Sequence, residues 1–262
     1  MLKKALFHIA KRPFMGKVAG AAFRYFSWLI PVKKAYSSRK TLAFYHPQPC
    51  YQNHIVLSPR RAIRNLQQLA SDRFSTYFPD LWMAVEEISR KYPEYNKAFS
   101  LVANGGRKQE VQQVHFHMFT DCEMVDVSCH STETGNELFR NETIRILKCP
   151  DRESHYVILP VVSSEVHRQA DFCVYLKSVL QSIDLLNSES GIVSGGYSLI
   201  YQHCSQSSEN GFPVFHIVSE KKQQRNALGS KRQRCSSDTL FIRVNSAQKY
   251  RHFAQKLHQI FY

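Results

Sequence analysis

A chain of 262 residues holds one large domain or two small ones, and its 43% apolar and 21% charged residues are ordinary for a globular protein. The formal charge of +14 is not ordinary; it favours anionic partners such as nucleotides, nucleic acid or an acidic membrane face, without choosing among them. The seven cysteines (Cys50, Cys122, Cys129, Cys149, Cys173, Cys204 and Cys235) are odd in number and show no C-x-x-C spacing. That argues against a disulfide framework and a zinc ribbon or finger, and for a reducing, cytoplasmic compartment. Cys122, Cys129 and His130 fit no common zinc module.

No acidic residue precedes Asp72. The stretch Phe14 to Pro31 is apolar but carries Lys17 and Arg24, and it is too short and too charged for a spanning helix. Three readings compete for the basic segment 1–29: an amphipathic helix on an acidic membrane surface, an organelle transit peptide, or a helix packed on the domain. Val18, Ala21, Ala22, Phe26 and Leu29 stand at helical spacing, which favours packing for residues 16–29.

Ala35–Tyr36 and Thr41–Tyr45 read as short strands around a Ser-Ser-Arg-Lys turn, and His54–Arg61 as a strand running into a Pro break. Ala62–Ala70 is a short helix. Phe78–Lys91 is a longer one, with Pro79 in its first turn and Leu81, Met83, Ala84 and Ile88 on its core face. Ala98–Ala103 is a strand, and Asn104-Gly-Gly106 a turn. In Gln109–Phe119, Val114, Phe116 and Met118 alternate with Gln113, His115, His117 and Phe119, the period of a half-buried strand. His115 and His117 then project together from one face, about 7 Å apart, able to address two oxygens of one phosphate.

This last stretch, Gln113-Val-His115-Phe-His117-Met-Phe119, resembles the histidine-triad (HIT) signature His-φ-His-φ-His-φ-φ, with the central and last histidines in place and Gln at the first. The Ile30-Pro31 entry, the Leu42-Ala-Phe44 strand and the His54-Ile-Val-Leu-Ser-Pro59 strand run in the order of a HIT front half. The family resemblance implies an antiparallel α+β sheet with helices. It also implies a central His115 that attacks the α-phosphate of a nucleotide, with its other nitrogen held by a backbone carbonyl. His117 would bond a non-bridging oxygen, and Gln113, Gln109 and Asn104 would reach the phosphates or nucleotide. His46 stands where the family usually has an Asp or Asn for the ribose, and His54 at a histidine buried beside the active strand. No metal or cofactor is implied.

After residues 120–142, read as a connection, the order repeats. Thr143–Lys148 is a strand, His155-Tyr-Val-Ile-Leu-Pro160 echoes His54–Pro59, Ala170–Leu186 is a helix, and Tyr197–Tyr201 is a strand. Asn210–Ser219 falls at the triad strand, with His216 between Val214 and Val218 read as the surviving central histidine. The expected organisation is a HIT-like half at 30–142 and a degenerate one at 143–262, forming an intramolecular pseudo-dimer. This resembles the fused uridylyltransferases and diadenosine polyphosphate phosphorylases. A basic loop at 220–238, a strand at 239–244 and a helix at 246–261 complete the chain.

The functional expectation is a nucleotide hydrolase or nucleotidyltransferase acting on a nucleoside phosphate or dinucleotide. The alternatives are an impaired nucleotide-binding protein, or a HIT-like protein attached to nucleic acid or an acidic membrane through its basic N-terminus. Self-association into a homo-oligomer is a further option.

Overall fold

Alternation of large apolar side chains with a second, partly polar set drives the chain into one antiparallel ten-stranded sheet in the computed structural model. The structure describes residues 32–47, 49–74, 76–120, 137–149, 154–161, 169–204 and 214–219; the expectations for 1–29 and for 220–262 lie outside them. The strands are β1 (Lys34–Ser37), β2 (Thr41–Tyr45), β3 (Ile55–Pro59), β4 (Ala98–Gly105), β5 (Phe116–Phe119), β6 (Glu137–Arg140), β7 (Ile144–Lys148), β8 (His155–Pro160), β9 (Tyr197–Cys204) and β10 (Phe215–Ser219). The helices are α1 (Leu66–Ala70), α2 (Tyr77–Lys91), α3 (Pro93–Lys97), α4 (Gln169–Ser190) and α5 (Ile192–Gly195).

Across the sheet the order is β1-β2-β3-β5-β4-β9-β10-β8-β7-β6. Followed inward from either edge it is the same: a hairpin, a strand that begins at or just after a histidine, a short strand, then a long one. The expected α+β fold with two like halves is the fold observed. β4 and β9 join the halves from Ala98↔Cys204 to Gly105↔Tyr197.

The last of these pairs is a steric lock. A Cβ on Gly105 would come within 2.6 Å of Cε1 of Tyr197, whose side chain is fully buried. The φ of Gly105 is an ordinary −135°, so the demand for glycine here is space, not conformation. Gly105→Ala should cost about 1–3 kcal/mol of stability, the usual penalty for overpacking; an unchanged urea midpoint would contradict the lock.

One face of the sheet packs on the helices. Leu57, Leu101, Phe116, Met118, Leu199, Phe215, Ile217 and Ile158 share a core with residues of α2 and α4. In α2, Phe78, Leu81, Trp82, Val85 and Ile88 are buried at helical spacing. Met83, expected on that face, is 53% exposed. Trp82 takes the inward place, with its ring against Tyr201 and Phe215 and its indole N–H donating to Glu86 Oε1 at 2.7 Å. The clusters on the opposite face, around Val102, Phe119 and Ile200 and around Leu42, Phe44 and Val56, contain no residue of any described helix. The histidines lie on that face.

Three further departures have local causes. α1 begins at Leu66 rather than Ala62 because Asn65 caps it, its Oδ1 accepting from Gln68 N–H at 2.8 Å. β6 lies inside the stretch read as a connection: it is a short edge strand whose polar alternation left little apolar signal. Cys149, expected to be a reduced thiol, is disulfide-bonded. Among the described residues no helix is long and apolar enough to cross a membrane.

Candidate active site

β5 is shorter than the alternation predicted. Only Phe116–Phe119 pair in the sheet, and all four are buried, so the strand is covered on both faces. Ahead of it the backbone leaves the ladder: Gln113 N–H turns back to the Val111 carbonyl at 2.8 Å, and Val114 N–H donates to the Ile63 carbonyl at 2.7 Å.

The cause is the Gln113 side chain, which is 1% exposed. Its Nε2 donates to the carbonyls of Pro59 (3.1 Å) and Arg61 (2.9 Å), and its Oε1 accepts from Ile63 N–H at 3.3 Å. Gln113 therefore does not face a phosphate, as the resemblance implied; its amide pins the segment that follows β3. An imidazole could not serve all three partners, because a neutral ring offers one donor and one acceptor. Gln113→Ala should cost about 1–3 kcal/mol for each backbone group left buried and unpaired, read as a drop in urea midpoint; unchanged stability would contradict the assignment.

Gln113 also sets the state of His115. Its backbone carbonyl lies 2.8 Å from His115 Nδ1. A carbonyl only accepts, so the proton is on Nδ1 and in the neutral ring the lone pair is on Nε2. His115 is half-buried. The ring of His117 stands 4.9 Å away at 79°.

His117 pairs with Val56 on β3 and Val102 on β4, and its Nδ1 lies 2.9 Å from Nε2 of His54, one ring donating and the other accepting. His54 Nδ1 and His117 Nε2 are buried without a hydrogen-bond partner among the described residues. Burial, reinforced by His115, His54 and His46, holds His117 well below the usual histidine pKa. Burial, then His46 and His115, brings His54 down to about 3. Both rings are thus neutral at physiological pH, and neither can act as a proton-donating imidazolium.

His46 donates its N–H to the His54 carbonyl at 2.8 Å, and its ring stacks flat on His54, centroids 4.3 Å apart and planes within 2°. Asn104 Oδ1 accepts from Ser198 Oγ at 2.7 Å, across the seam between the halves. The Gln109 amide donates to the carbonyls of Arg64 and, at 2.8 Å, Val111. Of the seven sequence-predicted residues, then, His46, His54, His115 and His117 come together. Gln113 and Gln109 are turned to backbone, and Asn104 is tied to the second half. Sequence reading missed Ser58, whose hydroxyl donates to the Val114 carbonyl at 3.0 Å, and Ser198. Both reach their partners only through strand pairing, which no local motif signals.

The second half repeats part of this set. His155 Nε2 lies 3.0 Å from His216 Nδ1, and burial with His155 brings His216 down to about 3. His216 pairs with Val157, two residues beyond His155, as His117 pairs with Val56, two beyond His54. His216 is therefore the counterpart of His117, not of the central histidine as expected, and Val214 takes the place of His115. Cys149 donates its N–H to the His155 carbonyl at 2.9 Å, as His46 does to that of His54, so Cys149 stands at the place of His46.

The sequence profile of the HIT domain family matches residues 29–124. An uncharacterised 13.2 kDa HIT-like protein of Azospirillum brasilense is 27% identical over 92 residues, which cover 34% of this chain and 75% of that one. Among solved structures, a GalT-like protein from Arabidopsis thaliana is similar over 77% of this chain and 82% of its own, with a TM-score of 0.51 at 9% identity. An ADP-glucose phosphorylase from Arabidopsis thaliana is similar over 80% and 82%, with a TM-score of 0.48 at 10% identity. The GalT-like match extends the likeness of fold beyond the first half. The matched profile, His117 on β5 with His115 just ahead of it, and the mirrored strand order agree: residues 29–124 are a region similar to the HIT domain family.

Proposed function

We propose that the protein is a nucleotide hydrolase or nucleotidyltransferase acting on the α-phosphate of a nucleoside phosphate or dinucleoside polyphosphate through a covalent nucleotidyl-His115. The observation that carries this reading is the tautomer of His115: with Nδ1–H given to the Gln113 carbonyl, Nε2 presents a lone pair on a half-buried ring. Nε2 attacks phosphorus, and the bond to the leaving oxygen breaks with its electron pair. The positive charge gained by the ring is stabilised through Nδ1–H and the carbonyl. Water or a second acceptor then attacks phosphorus and loses its proton to solvent, and the P–N bond breaks to restore neutral His115. His117 Nε2, when it carries the ring proton, donates to a non-bridging oxygen.

Among the described residues of the set, Gln113 is engaged with backbone and burial keeps His54 and His117 neutral, so none of these three offers an acid to the leaving group. General-acid help is typically worth about 10²–10⁴-fold, so leaving groups that depart as weakly basic phosphates are favoured over amines. Dinucleoside polyphosphates should turn over at least about 100-fold faster than nucleoside phosphoramidates; the reverse order contradicts the reading. A second reading, nucleotide binding without turnover, is favoured by the committed Gln113 and by His46 stacked on His54. It predicts saturable nucleotide affinity and no product from either substrate.

A further inference from the structure

We propose that His46, His54 and His117 form a binding site for one divalent d-block cation of the zinc class, a site that does not depend on the chemistry of His115. One ring nitrogen from each of the three lies within 4.8 Å of the other two. The donor set is three imidazoles with no carboxylate, which suits zinc, cobalt, nickel or copper and not magnesium or calcium.

The His54–His117 pair is close to ligating geometry. A tetrahedral site with metal–nitrogen bonds of about 2.0–2.1 Å separates its ligand nitrogens by about 3.3–3.4 Å. His54 Nε2 and His117 Nδ1 are 2.9 Å apart, so a small outward shift of the rings lets a cation replace the proton between them. That proton moves to the outer nitrogen of its own ring, leaving His54 Nδ1 and His117 Nε2 both as N–H and releasing none. His46 is half-buried on the solvent side with a ring nitrogen within 4.8 Å of the pair; its ring turns out of the flat stack on His54 to bring that nitrogen to the ion. Three protein ligands leave a fourth position for water or an anion.

Hydrogen bonding alone leaves this pair short of partners. In either tautomer, the two outer nitrogens are buried without a hydrogen-bond partner among the described residues, so only the inner pair of nitrogens is available to a shared proton or ion. The pair also recurs as His155–His216 in the half that has Val214 in place of a nucleophile, so it does not exist solely to serve His115. At the third place that half carries Cys149, again a ligand-type residue, but one already disulfide-bonded. The first half is therefore the half with three imidazoles to offer. Metal on His117 Nδ1 would also fix its Nε2 as an N–H donor.

The test is titration of chelator-treated full-length protein with Co²⁺, followed by displacement with Zn²⁺. The expected result is one Co²⁺ per chain attributable to this site, with the visible ligand-field bands of a tetrahedral ion, bleached by Zn²⁺. His46→Phe keeps a ring to stack on His54 and should weaken binding at least about 100-fold while leaving the circular dichroism spectrum unchanged. His115→Asn should leave affinity and spectrum as they are, which separates failure of this site from failure of nucleotidyl transfer. No saturable binding, equal binding by His46→Phe, or loss of binding in His115→Asn would each overturn the proposal.

Discussion

On the proposed mechanism, replacing His115 by Asn should remove turnover of dinucleoside polyphosphates, by on the order of 10⁴-fold or more, and leave the unfolding midpoint nearly unchanged. The rate effect follows from chemistry: Asn has no nitrogen lone pair to attack phosphorus, and Gln113 cannot replace it because its amide is bonded to Pro59, Arg61 and Ile63. The stability effect follows from position. His115 is half-buried, precedes β5 and, among the described residues, hydrogen-bonds through its side chain to the Gln113 carbonyl. The Asn amide can donate to the same carbonyl, and surface-side changes of this kind usually stay within about 0.5 kcal/mol. Residual turnover within about tenfold of the parent would move the chemistry to another residue. Loss of folding would make His115 structural.

Lowering the pH from 7 to 5 destabilises the metal-free fold by several kcal/mol. His54, His117 and His216 are buried as neutral rings, with pKa values of about 3 for His54 and His216 and well below 6.5 for His117. In the unfolded chain each takes up a proton near the ordinary value of about 6.5. Between about pH 6.5 and 3 the unfolded state therefore binds more protons than the folded one. The contribution is fully present above 6.5 and is lost as the pH falls toward 3. At pH 5 each ring costs on the order of 2 kcal/mol, and the two halves lose stability together because both contain a histidine pair. Urea unfolding in the presence of a chelator at pH 7 and pH 5 measures this. Equal stabilities would mean that the rings are already protonated or solvated in the folded protein.

Much of the architecture was legible because it is written in apolar period and strand order. His54–Pro59 and His155–Pro160 echo one another in sequence, and β3 and β8 occupy matching places in the sheet. The helix read over residues 78–91 runs from Tyr77 to Lys91, with one residue of its face misplaced: the period could not decide whether Trp82 or Met83 turns inward. The site was legible in composition but not in orientation. Parity placed Gln113 with His115 and His117 on one face, yet the chain leaves the ladder before Phe116, so parity no longer holds there. His216 was matched to the wrong histidine for a similar reason. With one histidine in the second copy, register is set only by its pairing opposite Val157. Ser198 meets Asn104 through the β4–β9 seam, a contact between halves that neither half's motif contains.

The most direct test is to trap the intermediate. The protein is mixed with a dinucleoside polyphosphate, quenched in alkali, where a phosphorus–nitrogen bond to histidine survives, and digested for peptide mass spectrometry. A mass increment of one nucleoside monophosphate on His115, absent from His115→Asn, is the predicted result. Turnover with no adduct at any time point, or an adduct on another residue, would contradict nucleotidyl transfer through His115.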